Sequence, residues 1–474
     1  MEPTRLVDRM GRWSSGRGPL YVLLAARLRA LIDDGELLPG TRLPADRALA
    51  AALAVGRNTV VAAYEQLGVE GRVVRRQGSG TRVAGTASEA PAATTDAPMF
   101  LHLLEPKDGV IMLACAASDV PAPELIEAYR RTVPKLADTT GDTGYHPMGH
   151  QALRYAIAAH YERRGLPTTP NRILVTTGGQ QALSLLARAL LRPGDRVLVQ
   201  VPTYPGALEA FREEGALPRG LPVEFTGFAE AVTRHRPALA YLIATFHNPT
   251  GAVLPPPQRQ RVARAAATAG VPLIDDEVPI DLGFPDEPVP PPLAAYHDQV
   301  ITVGSLSKLV WGGLRVGWIR APEALVARLA RLRAVHDLGG NIPTQAAAAD
   351  LLPRLDVLRC RSAAQRRARH DHLLAELGRQ LPQWQVPAVR GGQTVWIRLP
   401  YGDGSSFAQT ALRHGVAVLP GAGLDAGGGS QEYLRLHFLA TPDQLSEAVR
   451  RLAAAWQDYR PPPHPAPTPP TMAV

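Results

Sequence analysis

The chain has 474 residues, a hydrophobic fraction of 45% and a formal charge of +8, and only three of its 51 basic residues are lysines, Lys107, Lys135 and Lys308. At about 100–200 residues per domain, that length predicts two or three domains with ample core. No apolar run approaches the ~20 residues that span a bilayer, Met1 to Arg5 lack a signal-like apolar stretch, and Cys115 and Cys360 form neither a disulfide framework nor a metal cluster. Secreted, membrane and disulfide-scaffold classes are excluded, no metal is expected, and the composition suits a reducing cytoplasm. The arginine bias itself reads as codon usage. A lysine kept against it is informative, because arginine cannot lose its proton to become an amine nucleophile.

Residues 1–86 hold 13 Arg against 8 Asp+Glu, so most of the net charge lies in the first fifth of the chain. Leu20, Leu24, Leu28, Leu31 and Ile32 predict a helix that stops near Gly35 and Pro39-Gly40. A second follows Pro44, with Leu49 and Leu53 as its apolar face. A third begins at Arg57-Asn58-Thr59, with Val60, Tyr64 and Leu67 inward. Val73–Arg76 and Thr81–Val83 predict two strands joined across Gln77-Gly78-Ser79-Gly80. Three helices and a hairpin form the layout of a winged helix-turn-helix, whose third helix enters the major groove of double-stranded DNA. Arg57 and Asn58 are placed to reach base edges, while Arg47 and Thr59 suit phosphates. Gly78 and Gly80 let the wing backbone approach closely. The plainer alternative is a small helical domain with a solvated basic face.

Three segments in order, Leu43-Pro44-Ala45-Asp46-Arg47-Ala48-Leu49-Ala50, Gly56-Arg57-Asn58-Thr59-Val60 and Gly78-Ser79-Gly80-Thr81, resemble the DNA-binding domain of the GntR family of bacterial regulators over residues 18–84. The chain departs from that family at Ala45 and Gly56, where it often carries hydroxyl residues. The winged helix-turn-helix is expected over residues 12–84. A flexible linker rich in Ala, Thr, Pro and Ser follows at 85–104.

From residue 105 helical stretches alternate with short apolar strands, such as those at 172–176, 196–200, 239–243 and 271–274. This predicts an α/β domain with a mostly parallel central sheet covered on both faces. Ser305-Leu306-Ser307-Lys308 follows the strand Val300–Val303 and precedes a Gly-rich stretch that holds Arg315. A lysine there suits a Schiff base to an aldehyde cofactor whose phosphate the hydroxyls and Arg315 hold. Alone, the pattern reads as a surface lysine. Four further pieces accompany it. Thr177-Gly178-Gly179-Gln180-Gln181 opens a helix after a strand, an anion site. Asp276, at a strand end, suits a pyridinium nitrogen. Asn248 lies in the turn His247-Asn248-Pro249-Thr250-Gly251, where it can donate to a phenolic oxygen, and Tyr204 can stack on a planar ring. Each is common singly; five in this order are not.

Together they resemble the fold-type I aminotransferases, which use pyridoxal 5'-phosphate, over residues 105–458. The resemblance implies that Lys308 forms the internal aldimine, Asp276 binds the pyridine nitrogen and Asn248 contacts the phenolic oxygen. Gly179, Gln180, Ser305, Ser307 and Arg315 would hold the phosphate, and Tyr145 would reach the phosphate of a partner subunit, making a dimer obligatory. Arg435 would clamp a substrate or effector carboxylate. Three positions after Asp276, where the family usually has tyrosine, this chain has Pro279. Residues 459–474 are expected to form a Pro-rich disordered tail.

A GntR-type winged helix joined to such a domain resembles the MocR-type transcriptional regulators. That implies a head-to-tail homodimer that binds an operator and senses pyridoxal phosphate or an amino compound, with residual transaminase activity compatible. The leading alternative is an active aminotransferase with an autoregulatory DNA-binding domain, which Lys308, Asp276 and Arg435 permit and Pro279 opposes. A third is a cofactor-free dimerisation scaffold.

Overall fold

A computed structural model describes residues 3–10, 13–14, 19–33, 37, 41–69, 72–76, 80–83, 108–117, 120–138 and 140–461. The linker expected at 85–104 and residues 462–474 lie outside them. The chain divides into two units, residues 1–96 and 97–474. Among the described residues no helix is long and apolar enough to cross a membrane.

The first unit comprises helices α1 (Pro3–Met10), α2 (Leu20–Asp33), α3 (Asp46–Leu53) and α4 (Arg57–Val69), then strands β1 (Val73–Arg76) and β2 (Gly80–Val83). The strands pair antiparallel, with Val73 opposite Val83. Leu24, Leu28 and Leu31 of α2 meet Leu49 of α3 and Val60, Tyr64 and Leu67 of α4 in one core. Leu20, expected on that face, is 45% exposed because it opens α2 ahead of the core. Helix α1 was not expected. It adds Leu6 and Met10, four residues apart on one helix face, to the same core. The turn between α3 and α4 begins at Ala54, whose left-handed φ of 53° lets its N–H close on Ala50 and Ala51 carbonyls. The Tyr64 hydroxyl donates to the Pro44 carbonyl at 3.0 Å, tying α4 to the lead-in of α3.

The second unit runs through β3 (Ile111–Met112), α5 (Pro123–Thr132), α6 (Gln151–Arg163), β4 (Ile173–Thr176), α7 (Gly179–Leu190), β5 (Arg196–Val201), α8 (Pro205–Glu213), β6 (Leu217–Pro222), α9 (Phe228–His235), β7 (Leu239–Leu242), α10 (Pro256–Ala269) and β8 (Leu273–Asp276). It continues with β9 (Ile301–Ser305), β10 (Gly317–Arg320), α11 (Glu323–His336), α12 (Ile342–Leu351), α13 (Leu355–Gln380), β11 (Thr394–Arg398), α14 (Gly404–Arg413), β12 (Val416–Ala417), β13 (Leu419–Pro420), β14 (Tyr433–His437) and α15 (Pro442–Asp458). Seven strands form one sheet in the order β4-β10-β9-β8-β7-β5-β6. All its pairings are parallel except those of β10, which is antiparallel to β4 and β9.

Strands β4, β7 and β8 are buried at every residue, as a sheet covered on both faces requires. Alternate residues feed two cores: Leu198, Ala240 and Leu242 on one face, Val197, Val199 and Tyr241 on the other. Beyond this sheet β11, β14 and β13 form a smaller antiparallel one, and β12 pairs parallel with β3. Trp384, Phe407, Trp456 and Tyr459 pack beside it; Tyr459, in the segment expected to be tail, is buried. The carboxyl ends of β4, β8 and β9 and the amino end of β10 share one edge of the large sheet, where open α/β folds place their ligands.

Leu28 is fully buried in the first unit. Leu28→Ala is expected to destabilise that unit by about 2–5 kcal/mol. In urea this appears as an earlier transition of residues 1–96 with that of residues 97–474 unmoved. Equal shifts of both would contradict independent cores.

Candidate active site

The segment after β9 builds the site's first wall. Ser305 Oγ shares its one hydrogen between Ser307 Oγ at 2.9 Å and the Val316 carbonyl at 3.0 Å, and accepts from the Ser307 N–H at 3.1 Å. This turn presents Lys308, whose Nζ donates to the Ala116 carbonyl at 2.6 Å. Burial pushes the Lys308 ammonium below the usual lysine range; Arg435 and Arg315 push the same way and Asp276 opposes them.

Asp276 ends β8 on the neighbouring strand. Its Oδ2 accepts from the Tyr241 hydroxyl at 2.7 Å and its Oδ1 from the Val278 N–H at 3.0 Å. Burial lifts its carboxyl to about 6, and those two hydrogen bonds keep it from rising further. Tyr241 was not singled out in the sequence. It stands opposite Ile274 in the β7–β8 register, so Asp276, two residues on, shares its face and lies within diagonal reach. The one available signal was a hydroxyl in an otherwise apolar strand. Pro279 follows in the next turn and has no donor.

The start of α7 forms the opposite wall. Its N-cap, Gly178, has a φ of 99°, and a Cβ there would come within 2.8 Å of Arg315 Nη2. Arg315 donates to the Thr177 carbonyl at 2.6 Å and the Gly312 carbonyl at 3.2 Å. Gly179 begins the helix, and the sequence reading that singled it out passed over Gly178. Gln180 turns its side chain toward α8, donating to the Gly206 carbonyl at 2.9 Å and accepting from the Tyr204 hydroxyl at 3.0 Å.

Arg435 lies in mid-β14 between Trp396 and Leu419 and is 6% exposed. Its Nη1 donates to Asn248 Oδ1 at 3.2 Å and its Nη2 to the Ala114 carbonyl, while its Nε is buried without a partner. Burial lowers its pKa to about 10. Ser305 pairs with Ser307, Gln180 with Tyr204 and Arg435 with Asn248, Arg315 reaches Thr177 beside Gly179, and Lys308 feels the charges of Asp276, Arg315 and Arg435. Tyr145 precedes α6 and is 66% exposed.

In the first unit Arg47 on α3 and Arg57 and Asn58 in the first turn of α4 are exposed, and Thr59 is half-buried. The Arg57 guanidinium lies 4.0 Å from Asp46 Oδ2, a contact between α4 and α3 that motif reading missed. Gly80 opens β2; Gly78 lies outside the described residues.

Known proteins share both parts. The aminotransferase class I and II family model matches residues 111–452, and that of the bacterial regulatory proteins of the gntR family matches residues 20–83. The chain is 30% identical over 452 residues to the uncharacterized HTH-type transcriptional regulator YisV of Bacillus subtilis (strain 168), covering 87% of this chain and 91% of the relative. It is 30% identical over 354 residues to the probable rhizopine catabolism regulatory protein MocR of Rhizobium meliloti, covering 70% and 72%. Among solved structures it is similar to LysN, the alpha-aminoadipate aminotransferase of Thermus thermophilus complexed with N-(5'-phosphopyridoxyl)-L-leucine. There the identity is 30% and the TM-score 0.67, covering 76% of this chain and 94% of that one.

The raised carboxyl of Asp276 predicts a pH dependence. A folded-state value of about 6, against about 3.9 in an unfolded chain, means the folded protein binds the proton more tightly. The resulting stability is fully present below about pH 4 and is lost as pH rises through about 6, in total about 2–3 kcal/mol. In urea unfolding of protein stripped of small molecules, Asp276→Asn is expected to remove that component. A wild-type-minus-variant difference that is constant from pH 4 to 7 would contradict it.

Proposed function

We propose that this chain, which belongs to the MocR-type regulators, with a gntR-family winged helix preceding a class I and II aminotransferase fold, controls transcription by letting the state of its pyridoxal phosphate site set how a dimer grips an operator. One observation carries the reading: an amine of depressed proton affinity, a buried and doubly hydrogen-bonded carboxylate, and a helix start faced by two serines and an arginine converge on one sheet edge. That donor set fits pyridoxal phosphate, the cofactor of this fold. When bound, the cofactor supplies an aldehyde carbon that condenses with amines and a ring that takes up electrons from a substrate bond.

The chain's own residues divide the remaining work. Lys308 offers its amine, and the lowered proton affinity keeps more of it neutral and nucleophilic. Asp276, aimed by Tyr241 and the Val278 N–H, pairs with the pyridine nitrogen and keeps it protonated. Gly179, Gln180, Ser305, Ser307 and Arg315 hold the phosphate at the positive end of α7. Tyr204 would cover the ring, Asn248 would face the phenolic oxygen, and Tyr145 would reach the partner's site in a head-to-tail dimer. Arg435 receives an effector carboxylate at its unpartnered Nε side. With Pro279 unable to donate, Asn248 acts on the phenolic oxygen without the usual tyrosine, which favours sensing an amino compound over rapid turnover.

Arg57 and Asn58 read base edges from the first turn of α4, and Arg47 and Thr59 fix the register on phosphates. A second reading, an aminotransferase with an autoregulatory DNA-binding domain, draws on the buried carboxylate clamp at Arg435.

The purified protein is expected to be yellow, with a visible absorption band that Lys308→Ala abolishes. A colourless protein that takes up no pyridoxal phosphate would favour a dimerisation scaffold. In binding assays with DNA from upstream of its own gene, Arg57→Ala should lose about 1–3 kcal/mol of preference for the operator over unrelated DNA. Arg47→Ala should weaken binding to all sequences and lower the salt dependence by about one ion. Unchanged operator binding in both variants would refute the assignment of α4 as the reading helix.

A further inference from the structure

A cleft of about 490 Å³ lies between β3, α13 and the Lys308 segment. Of the residues assigned to the cofactor and its clamp, only Lys308 lines it. Arg366 and Arg369, one helical turn apart on α13, stand with Lys308 around the cleft, and none of its described lining residues is Asp or Glu. Met112, Leu309 and Leu439 supply an apolar wall. The volume is within the range of small-molecule sites, about 300–1,000 Å³.

Arg366 is the anomaly. It is 6% exposed, yet among the described residues its guanidinium hydrogen-bonds only neutral acceptors: Ser362 Oγ at 2.7 Å and the carbonyls of Asp281 at 3.3 Å and Gly283 at 3.1 Å. Its Nε is buried with no partner, and the Asp281 carboxylate acts on it only through space. A buried cation without a paired anion is costly. Arg369, half-buried, donates one N–H to the Leu439 carbonyl, and its other donors have no partner among the described residues. The open Nε and Nη2 fork of Arg369, with the charge of Arg366 and the one remaining Nη1 hydrogen of Arg366 beside it, faces an apolar wall, a pairing that matches a carboxylate attached to an apolar body.

We propose that this cleft is a second ligand site that takes a small organic carboxylate with an apolar body, gripped by Arg366 and Arg369. The Gln393 amide, itself in the cleft lining, donates to the Lys308 carbonyl at 3.2 Å. Occupancy therefore bears directly on the segment that carries the reactive amine.

Calorimetric titration of the full, cofactor-loaded protein with 4-methylpentanoate tests this. The probe has no amine and cannot condense at the Lys308 site. A saturable site distinct from any at Arg435 is expected, weakened about tenfold or more by Arg366→Gln and by Arg369→Gln, the loss of a charge-assisted contact. Affinity should stay within about twofold in Arg435→Gln. The half-buried Arg369 keeps the test decisive if Arg366→Gln fails to fold. No saturable binding, binding indifferent to Arg369→Gln, or binding lost in Arg435→Gln would each overturn the proposal.

Discussion

Gly317 sets the spacing on which the site depends. As the first residue of β10 it stands opposite both Thr176 and Ser305, because β10 runs antiparallel between β4 and β9. A Cβ at Gly317 would come within 2.7 Å of the Gly178 backbone and 2.9 Å of the Gly304 carbonyl, so any side chain would force the strands apart. With glycine, the start of α7 is drawn against the serine-lysine turn after β9. Segments more than a hundred positions apart in the chain then face one another, and Arg315 bridges them through the Thr177 carbonyl. The parallel strands deliver Asp276 and Lys308 to the same edge, and β14 brings Arg435 to Asn248.

That convergence of desolvated groups is electrostatically expensive. Lys308, Asp276 and Arg435 are each desolvated, and the proton affinity of each shifts toward its neutral form. A dianionic phosphate near Arg315, a protonated ring nitrogen at Asp276 and a carboxylate at Arg435 would each meet a group of opposite charge. The pocket is thus poised for ligands that replace water with complementary charge, and a ligand that binds two dimer arrangements unequally biases them by that difference. The same reasoning singles out Arg366, a buried guanidinium whose Nε has no hydrogen-bond partner among the described residues.

The legible parts of the fold were those encoded locally. The apolar spacing of Leu24, Leu28 and Leu31 and the turn before Arg57 locate α2 and α4 without tertiary information. The lysine-serine turn, the Gly-rich helix start and Asn248 sit where short motifs put them. Helix α1 escaped because two buried positions, Leu6 and Met10, are too short a periodic signal. Tyr241 escaped for another reason: its role exists only in the register that pairs β7 with β8, which no local pattern encodes. Gly178 went unremarked beside Gly179 because only the close approach of Arg315 distinguishes them. The neutral hydrogen-bond acceptors around Arg366 depend on which loops surround α13, a property of packing alone.

Regulation of this kind requires a link between the cofactor site and DNA. Its most direct test is the operator affinity of the full chain at fixed salt, stripped of pyridoxal phosphate and then reloaded, beside Lys308→Ala treated identically. A coupling free energy of the usual size predicts a change of about fivefold or more on loading the wild type, and none in Lys308→Ala. Equal affinity in all four preparations would contradict the central claim and leave the large domain with no say in DNA binding.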